Sequence, residues 1–206
     1  MDQIQTLLER YPALCSQETA IRRAGELLCG AAREGKQVLT CGNGGSAADA
    51  EHVVGELMKD FHRKRPIPEE MRRRLETVGA GDLAEGLQQA VRAICLNSQT
   101  SLLTALINDG DPDLAFAQQV YGYGREGDVL LGFSTSGNSR NVYHAVQVAR
   151  ALGMHIIVIS GASGGAIAPL ADAAICVPET DTYKVQELTL PIYHALCLQA
   201  EDALFQ

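Results

Sequence analysis

Five short apolar runs punctuate the chain: residues 37–41 (QVLTC), 91–96 (VRAICL), 128–133 (DVLLGF), 155–160 (HIIVIS) and 174–177 (AICV). Each is short and rich in Val, Ile or Leu, so each reads as a strand. Between them the apolar residues change to helical spacing. Ile21, Ala24, Leu27 and Leu28 follow it within 19–34, and Val142, Ala145, Val146, Val148 and Ala149 within 138–152. Residues 184–205 make a longer amphipathic stretch with Pro191 inside. Proline removes one helix hydrogen bond, so a kink or a late helix start is expected there. Strands that alternate with helices dictate βα units around a parallel sheet. Strands that are apolar almost throughout fit a sheet covered on both faces. The expected class is α/β.

A chain of 206 residues, 46% apolar, suits one compact domain whose core needs no disulfide or metal staple. The net charge of −8 argues against non-specific nucleic-acid binding, which needs a basic face. No apolar run approaches the roughly 20 residues of a membrane span. The start, Met1-Asp2-Gln3-Ile4, has no basic-then-apolar export pattern, so a cytoplasmic protein is expected. The cysteines, Cys15, Cys29, Cys41, Cys95, Cys176 and Cys197, are scattered and form no CxxC pair. They are expected to be reduced and buried, and a zinc–thiolate site is not supported. Residues 63–89 differ in character, with Arg63, Lys64 and Arg65, then Pro66 and Pro68, then Arg72, Arg73 and Arg74. Charge runs of this kind are usually solvated faces. A lid or phosphate-attracting rim is the functional alternative.

Two strands end in turns of Gly, Ser and Asn just before a helix: Gly42-Asn43-Gly44-Gly45-Ser46, and Ser134-Thr135-Ser136-Gly137-Asn138-Ser139. In open α/β sheets ligands bind at that edge. Glycine lets backbone N–H groups approach a ligand, and a helix start favours an anion. A helix cap by Ser136 or Asn138 would explain one hydroxyl of the second turn but not all four, so a phosphate cradle is the favoured reading. Neither turn is followed by Gly-Lys-Ser/Thr, and neither reads G-x-G-x-x-G, so nucleotide sites of those kinds are not supported.

His52 and Glu56 share a face of the helix after the first turn, being i and i+4. Gln186 and His194, eight apart, can share a face of the last helix. Two imidazoles, a carboxylate and an amide oxygen suit zinc or another divalent metal. By spacing alone, hydrogen-bonded structural histidines are the commoner outcome. His62, His144 and His155 have no ligand-spaced partner and read as structural or surface groups.

The segments CGNGGSAADAEHVVGEL (41–57), IND (107–109), GREGDVLLGFSTSGNSRNV (124–142), GMHIIVISGASGG (153–165) and VQELTLPIYH (185–194) give the chain its family likeness. It resembles the sugar isomerase (SIS) domain family, and within it the phosphoheptose isomerases. The likeness spans nearly the whole chain except 63–89, which reads as a family-variable insertion in a single domain. The resemblance implies a flavodoxin-like three-layer αβα sandwich with a five-stranded parallel sheet and flanking terminal helices. It also implies a homotetramer with active sites between subunits. By resemblance, His52, Glu56, Gln186 and His194 bind zinc, and Glu56 and His194 are the acid/base pair. Asn43, Gly44, Gly45, Ser46, Asn108 and Asp109 would contact the phosphosugar. So would Ser134, Thr135, Ser136 and Ser139, together with Glu56 and Gln186. The implied reaction converts sedoheptulose 7-phosphate to D-glycero-D-manno-heptose 7-phosphate through an enediol. The alternatives are an isomerase of another phosphosugar and a non-catalytic SIS regulator that associates with a replication initiator. A regulator has no need of the four ligand-type residues together. The chain departs from compact members at Lys59-Asp60-Phe61, in the length of 63–89, and at Tyr183. The apolar stripes of the terminal helices also point to an oligomer.

Overall fold

In the order of the chain, the computed structural model, which describes residues 2–205, contains α1 (Gln3–Arg10), α2 (Glu18–Arg33), β1 (Val38–Cys41), α3 (Gly45–Met58) and α4 (Glu69–Thr77). Then follow β2 (Ala93–Cys95), α5 (Thr100–Asp109), α6 (Ala115–Tyr123), β3 (Val129–Ser134), α7 (Arg140–Ala151), β4 (His155–Ser160), β5 (Ala173–Cys176) and α8 (Thr182–Leu204). All five strands pair in parallel, in the order β2-β1-β3-β4-β5. Leu39 lies beside Leu130, and Leu131 beside Ile157. Successive strand residues face opposite sides. Val129, Leu131 and Phe133 therefore join the core under α1, α2, α3 and α8. Leu130 joins Leu39, Ile156 and Val158 under α6 and α7. This is the expected three-layer αβα sandwich.

Each expected strand is present, with small shifts at the ends. β2 is shorter than its apolar run because it is an edge strand held by β1 alone. The expectation of a late helix start at Pro191 is not met: α8 begins at Thr182 and continues through the buried proline. The lost hydrogen bond at Pro191 is outweighed by burial of Val185, Thr189, Ile192, Tyr193 and Leu196 along the same helix. All six cysteines are free, but Cys15 is exposed and Cys176 half-buried, so burial holds for only the other four.

The segment 63–89 folds as a 3-10 turn and the helix α4, and most of its arginines are solvated as expected. Arg72 pairs with Glu85, Arg73 with Glu69 and Arg74 with Glu70, all within the segment. Arg65 is the exception and corrects the expectation. It is 1% exposed and donates from Nε to Glu201 of α8 at 2.8 Å. Its Nη1 and Nη2 donate to the carbonyls of Leu57 (2.9 Å) and Glu56 (3.1 Å), at the end of α3. Its guanidinium also lies over the Phe205 ring. The Glu201 carboxylate, itself buried, accepts the backbone N–H groups of Phe61, His62 and Arg63. Burial raises its pKa, but the N–H groups of Phe61 and His62 and the Arg65 guanidinium outweigh that and hold it below the ordinary carboxylate value. The pair thus fastens the end of α3, which carries His52 and Glu56, to α8, which carries Gln186 and His194.

Removing one partner of a buried ion pair strands the other charge, so Arg65→Met should lower stability by about 3–5 kcal/mol in chemical denaturation. A depressed carboxylate pKa contributes stability above the ordinary Glu value and loses it as pH falls through the folded-state value. The stability gap between wild type and Glu201→Gln should therefore be full at pH 7 and close on acidification. A pH-independent gap would contradict the role given to the charged form.

Candidate active site

The strand order reverses between β1 and β3, since the chain passes from β1 to β2 on one side and β3 pairs on the other. Such a switch point opens a crevice at the carboxyl ends of the strands. Both Gly/Ser turns sit there, one leading into α3 and the other into α7.

The first turn is pinned from both neighbours. Gly42 N–H donates to Asn97 Oδ1 at 3.2 Å, and Asn97 Nδ2 donates back to the Gly42 carbonyl at 2.8 Å. Asn43 and Asn141 exchange amide hydrogen bonds, each 2.9 Å, across the crevice. Gly44, the cap of α3, has φ of 58°, a conformation that favours glycine. Asn43, Gly44 and Gly45 are exposed, while Ser46 is buried at the helix start.

In the second turn Ser134 Oγ donates to Ser139 Oγ at 3.0 Å. Ser136 Oγ accepts from the Asn138 N–H, and Asn138 Oδ1 accepts from the Ala166 N–H. Neither Ser136 nor Asn138 caps α7, whose cap residue, Ser139, makes no side-chain capping bond. The cap reading of this turn therefore fails. Gly137 has φ of 65°, and a Cβ there would strike the Gly164 carbonyl of the loop after β4. Gly165, also at positive φ, packs its backbone against Gly137 in return.

α3 and α8 bring His52, Glu56 and His194 together. One ligand-type atom from each lies within 4.8 Å of the others. His52 Nε2 is 3.0 Å from Glu56 Oε1 and 3.5 Å from His194 Nε2. Glu56 Oε2 is buried with no hydrogen-bond partner, a costly arrangement for a carboxylate oxygen. Two converging imidazoles and an orphaned carboxylate oxygen fit a divalent cation. Burial lowers the pKa of His194; His52 adds to this and Glu56 opposes it. The Gln186 amide, two turns before His194 on α8, packs against Gly45 of the first turn.

Asn108 and Asp109 do not join this group. They end α5, are exposed, and the Asn108 amide donates to Asp109. Residue spacing gave no sign of Asn97, Asn141, Asp49 or Tyr193. Tyr193 Oη lies 2.9 Å from His52 Nδ1 and 3.4 Å from Asp49 Oδ1. Only the i, i+3 relation of Asp49 to His52 on α3 was there to be read.

The arrangement offers polar turns for an anion beside a carboxylate–imidazole group suited to proton transfer. Two SIS domain models match the chain, over residues 88–199 and 1–95. The phosphoheptose isomerase of Synechocystis sp. is 38% identical over 90% of this chain and 84% of its own length. That of Rhodospirillum rubrum is 37% identical over 97% and 94%. Among solved structures, phosphoheptose isomerase GmhA from Neisseria gonorrhoeae superposes with a TM-score of 0.74 at 33% identity, covering 97% of this chain and 92% of that one. A phosphoheptose isomerase from Francisella tularensis gives 0.78 at 28% identity, covering 96% and 94%. The chain belongs to the phosphoheptose isomerase family of SIS-domain proteins.

Proposed function

We propose that the chain is an aldose–ketose isomerase that converts sedoheptulose 7-phosphate to D-glycero-D-manno-heptose 7-phosphate through an enediol. The meeting of His52, Glu56 and His194 beside two polar turns carries this reading. The reaction moves a proton between C1 and C2, and it needs a base, an acid and a support for charge on oxygen. Glu56 and His194 form the acid/base pair: one takes the carbon-bound proton, the other gives its own proton to the neighbouring carbon, the hydroxyl proton passes between the two substrate oxygens, and a proton transfer between the pair restores both. Ser134, Thr135, Ser136 and Ser139 hold the phosphate, and Asn43, Gly44, Gly45 and Ser46 the adjoining sugar. Anchoring the far end fixes the reacting end against Glu56.

His52, Glu56, Gln186 and His194 are the proposed zinc ligands, supported by the orphaned Glu56 Oε2 and the converging imidazoles. When bound, the metal supplies polarisation of the substrate carbonyl. The assembly is proposed to be a homotetramer with active sites between subunits. α5 supports this: none of its residues is buried, and Leu102 and Ile107 are exposed. Packing α5 against a second copy would cover them and carry Asn108 and Asp109 to a neighbour's site. The chain is read as one SIS domain with an insertion at 63–89. No helix among the described residues is long and apolar enough to cross a membrane. A cytoplasmic location is proposed with it, supported by a phosphorylated substrate that does not cross membranes unaided.

Incubation with sedoheptulose 7-phosphate, followed by NMR, should show aldose formation that a chelator abolishes and zinc restores. Phosphosugar binding with no turnover in any metal condition would instead favour a regulator. Glu56→Gln and His194→Gln should each cost at least about 100-fold in turnover with circular dichroism unchanged. Near wild-type rates in both would reject the acid/base assignment. Asn141→Ala, which frees the first turn, should raise KM more than it lowers kcat. Light scattering should report a tetramer, and a monomer at micromolar concentration would reject interfacial sites.

A further inference from the structure

The core at position 193 requires only an apolar ring. Tyr193 is 1% exposed and packs edge-on against Phe133 of β3, with ring centroids 6.1 Å apart. A phenylalanine would fill the same space. The hydroxyl must therefore be accounted for by its own partners, as buried phenols generally are. Those partners are His52 Nδ1 at 2.9 Å and Asp49 Oδ1 at 3.4 Å.

We propose that Tyr193 and Asp49 are positioning residues for His52, holding its imidazole so that Nε2 presents a lone pair to the cleft between Glu56 and His194. This rests on the metal reading above. A histidine that ligates through Nε2 carries its proton on Nδ1 and must donate it. Tyr193 Oη is the acceptor in reach. Its single proton then goes to Asp49 Oδ1, 3.4 Å away. The direction of the chain is set: His52 Nδ1–H to Tyr193 Oη, and Tyr193 O–H to Asp49 Oδ1. Asp49 and His52 stand one turn apart on α3, while Tyr193 comes from α8. The relay therefore also ties the orientation of a ligand on one helix to the placement of the other. The converging carboxylate and imidazole group is His52, Glu56 and His194, and Asp49 is not part of it.

The test is the zinc affinity of the full chain, measured by competition with a chromophoric chelator. Wild type is compared with Tyr193→Phe, which keeps the ring and its packing, and with Asp49→Ala. Loss of an outer partner of a ligating histidine commonly costs about 10–100-fold in metal affinity, and that fall is expected for Tyr193→Phe. A smaller fall is expected for Asp49→Ala. Circular dichroism and the thermal midpoint of the metal-free protein should stay near wild type. In zinc-loaded wild type, the His52 Nδ1–H should give a slowly exchanging proton resonance that is lost in Tyr193→Phe. Equal affinities for wild type and Tyr193→Phe would overturn the relay and leave the metal reading standing. Absence of zinc uptake by wild type would overturn both. Should Tyr193→Phe misfold, Asp49→Ala decides alone, and unchanged affinity there would overturn the proposal.

Discussion

The buried contact between Arg65 and Glu201 is the constraint on which the site geometry rests. Two helices far apart in the chain supply the converging side chains, and nothing in either helix alone sets their separation. Arg65 binds the last carbonyls of α3, among them that of Glu56, and the carboxylate of Glu201 on α8. Ion pairs removed from water are expensive and stabilise little over an apolar replacement. Here the carboxylate is also saturated by three backbone N–H groups, so the pair holds a loop and two helices in one arrangement. Its value lies in specificity of placement more than in net stability.

The sheet supplies the other half of the site. β1 and β3 end side by side, so the helices that follow them begin at one crevice, and their turns come together without long loops. Asn97 and Asn141 then fix the first turn from its two flanks. α8 closes the arrangement by laying Gln186 against Gly45 and His194 near His52. The ligand-type residues of α3 and α8 are thereby set beside the polar turns of the sheet edge.

Much of this was legible in the sequence because it is local. Buried parallel strands must be apolar throughout, so 128–133 and 155–160 announced themselves. The polar turns follow those strands directly, and His52 with Glu56 sits at helical spacing. What sequence reading missed depends on partners more than 40 residues away, as the Asn43–Asn141 and Asn97–Gly42 pairs do. Arg65 looked like part of a solvated basic run because its acceptor on α8 lies 136 positions further along. Pro191 was expected to delay or kink the last helix, since propensity is local. The apolar residues on both sides of it drive α8 into the core regardless. The place of Asn108 and Asp109 follows from family likeness, and the contacts within one chain leave them outside the group.

The contact between Gly137 and the loop at Gly164 and Gly165 joins backbone to backbone with no side chain between. Side chains ordinarily act as cushions, changing rotamer so that one segment can shift while its neighbour stays. Here that slack is missing. A displacement of the serine turn therefore presses directly on the loop after β4. A ligand that holds the serine turn should restrain the loop at Gly164 and Gly165 as well, although those residues need not touch it.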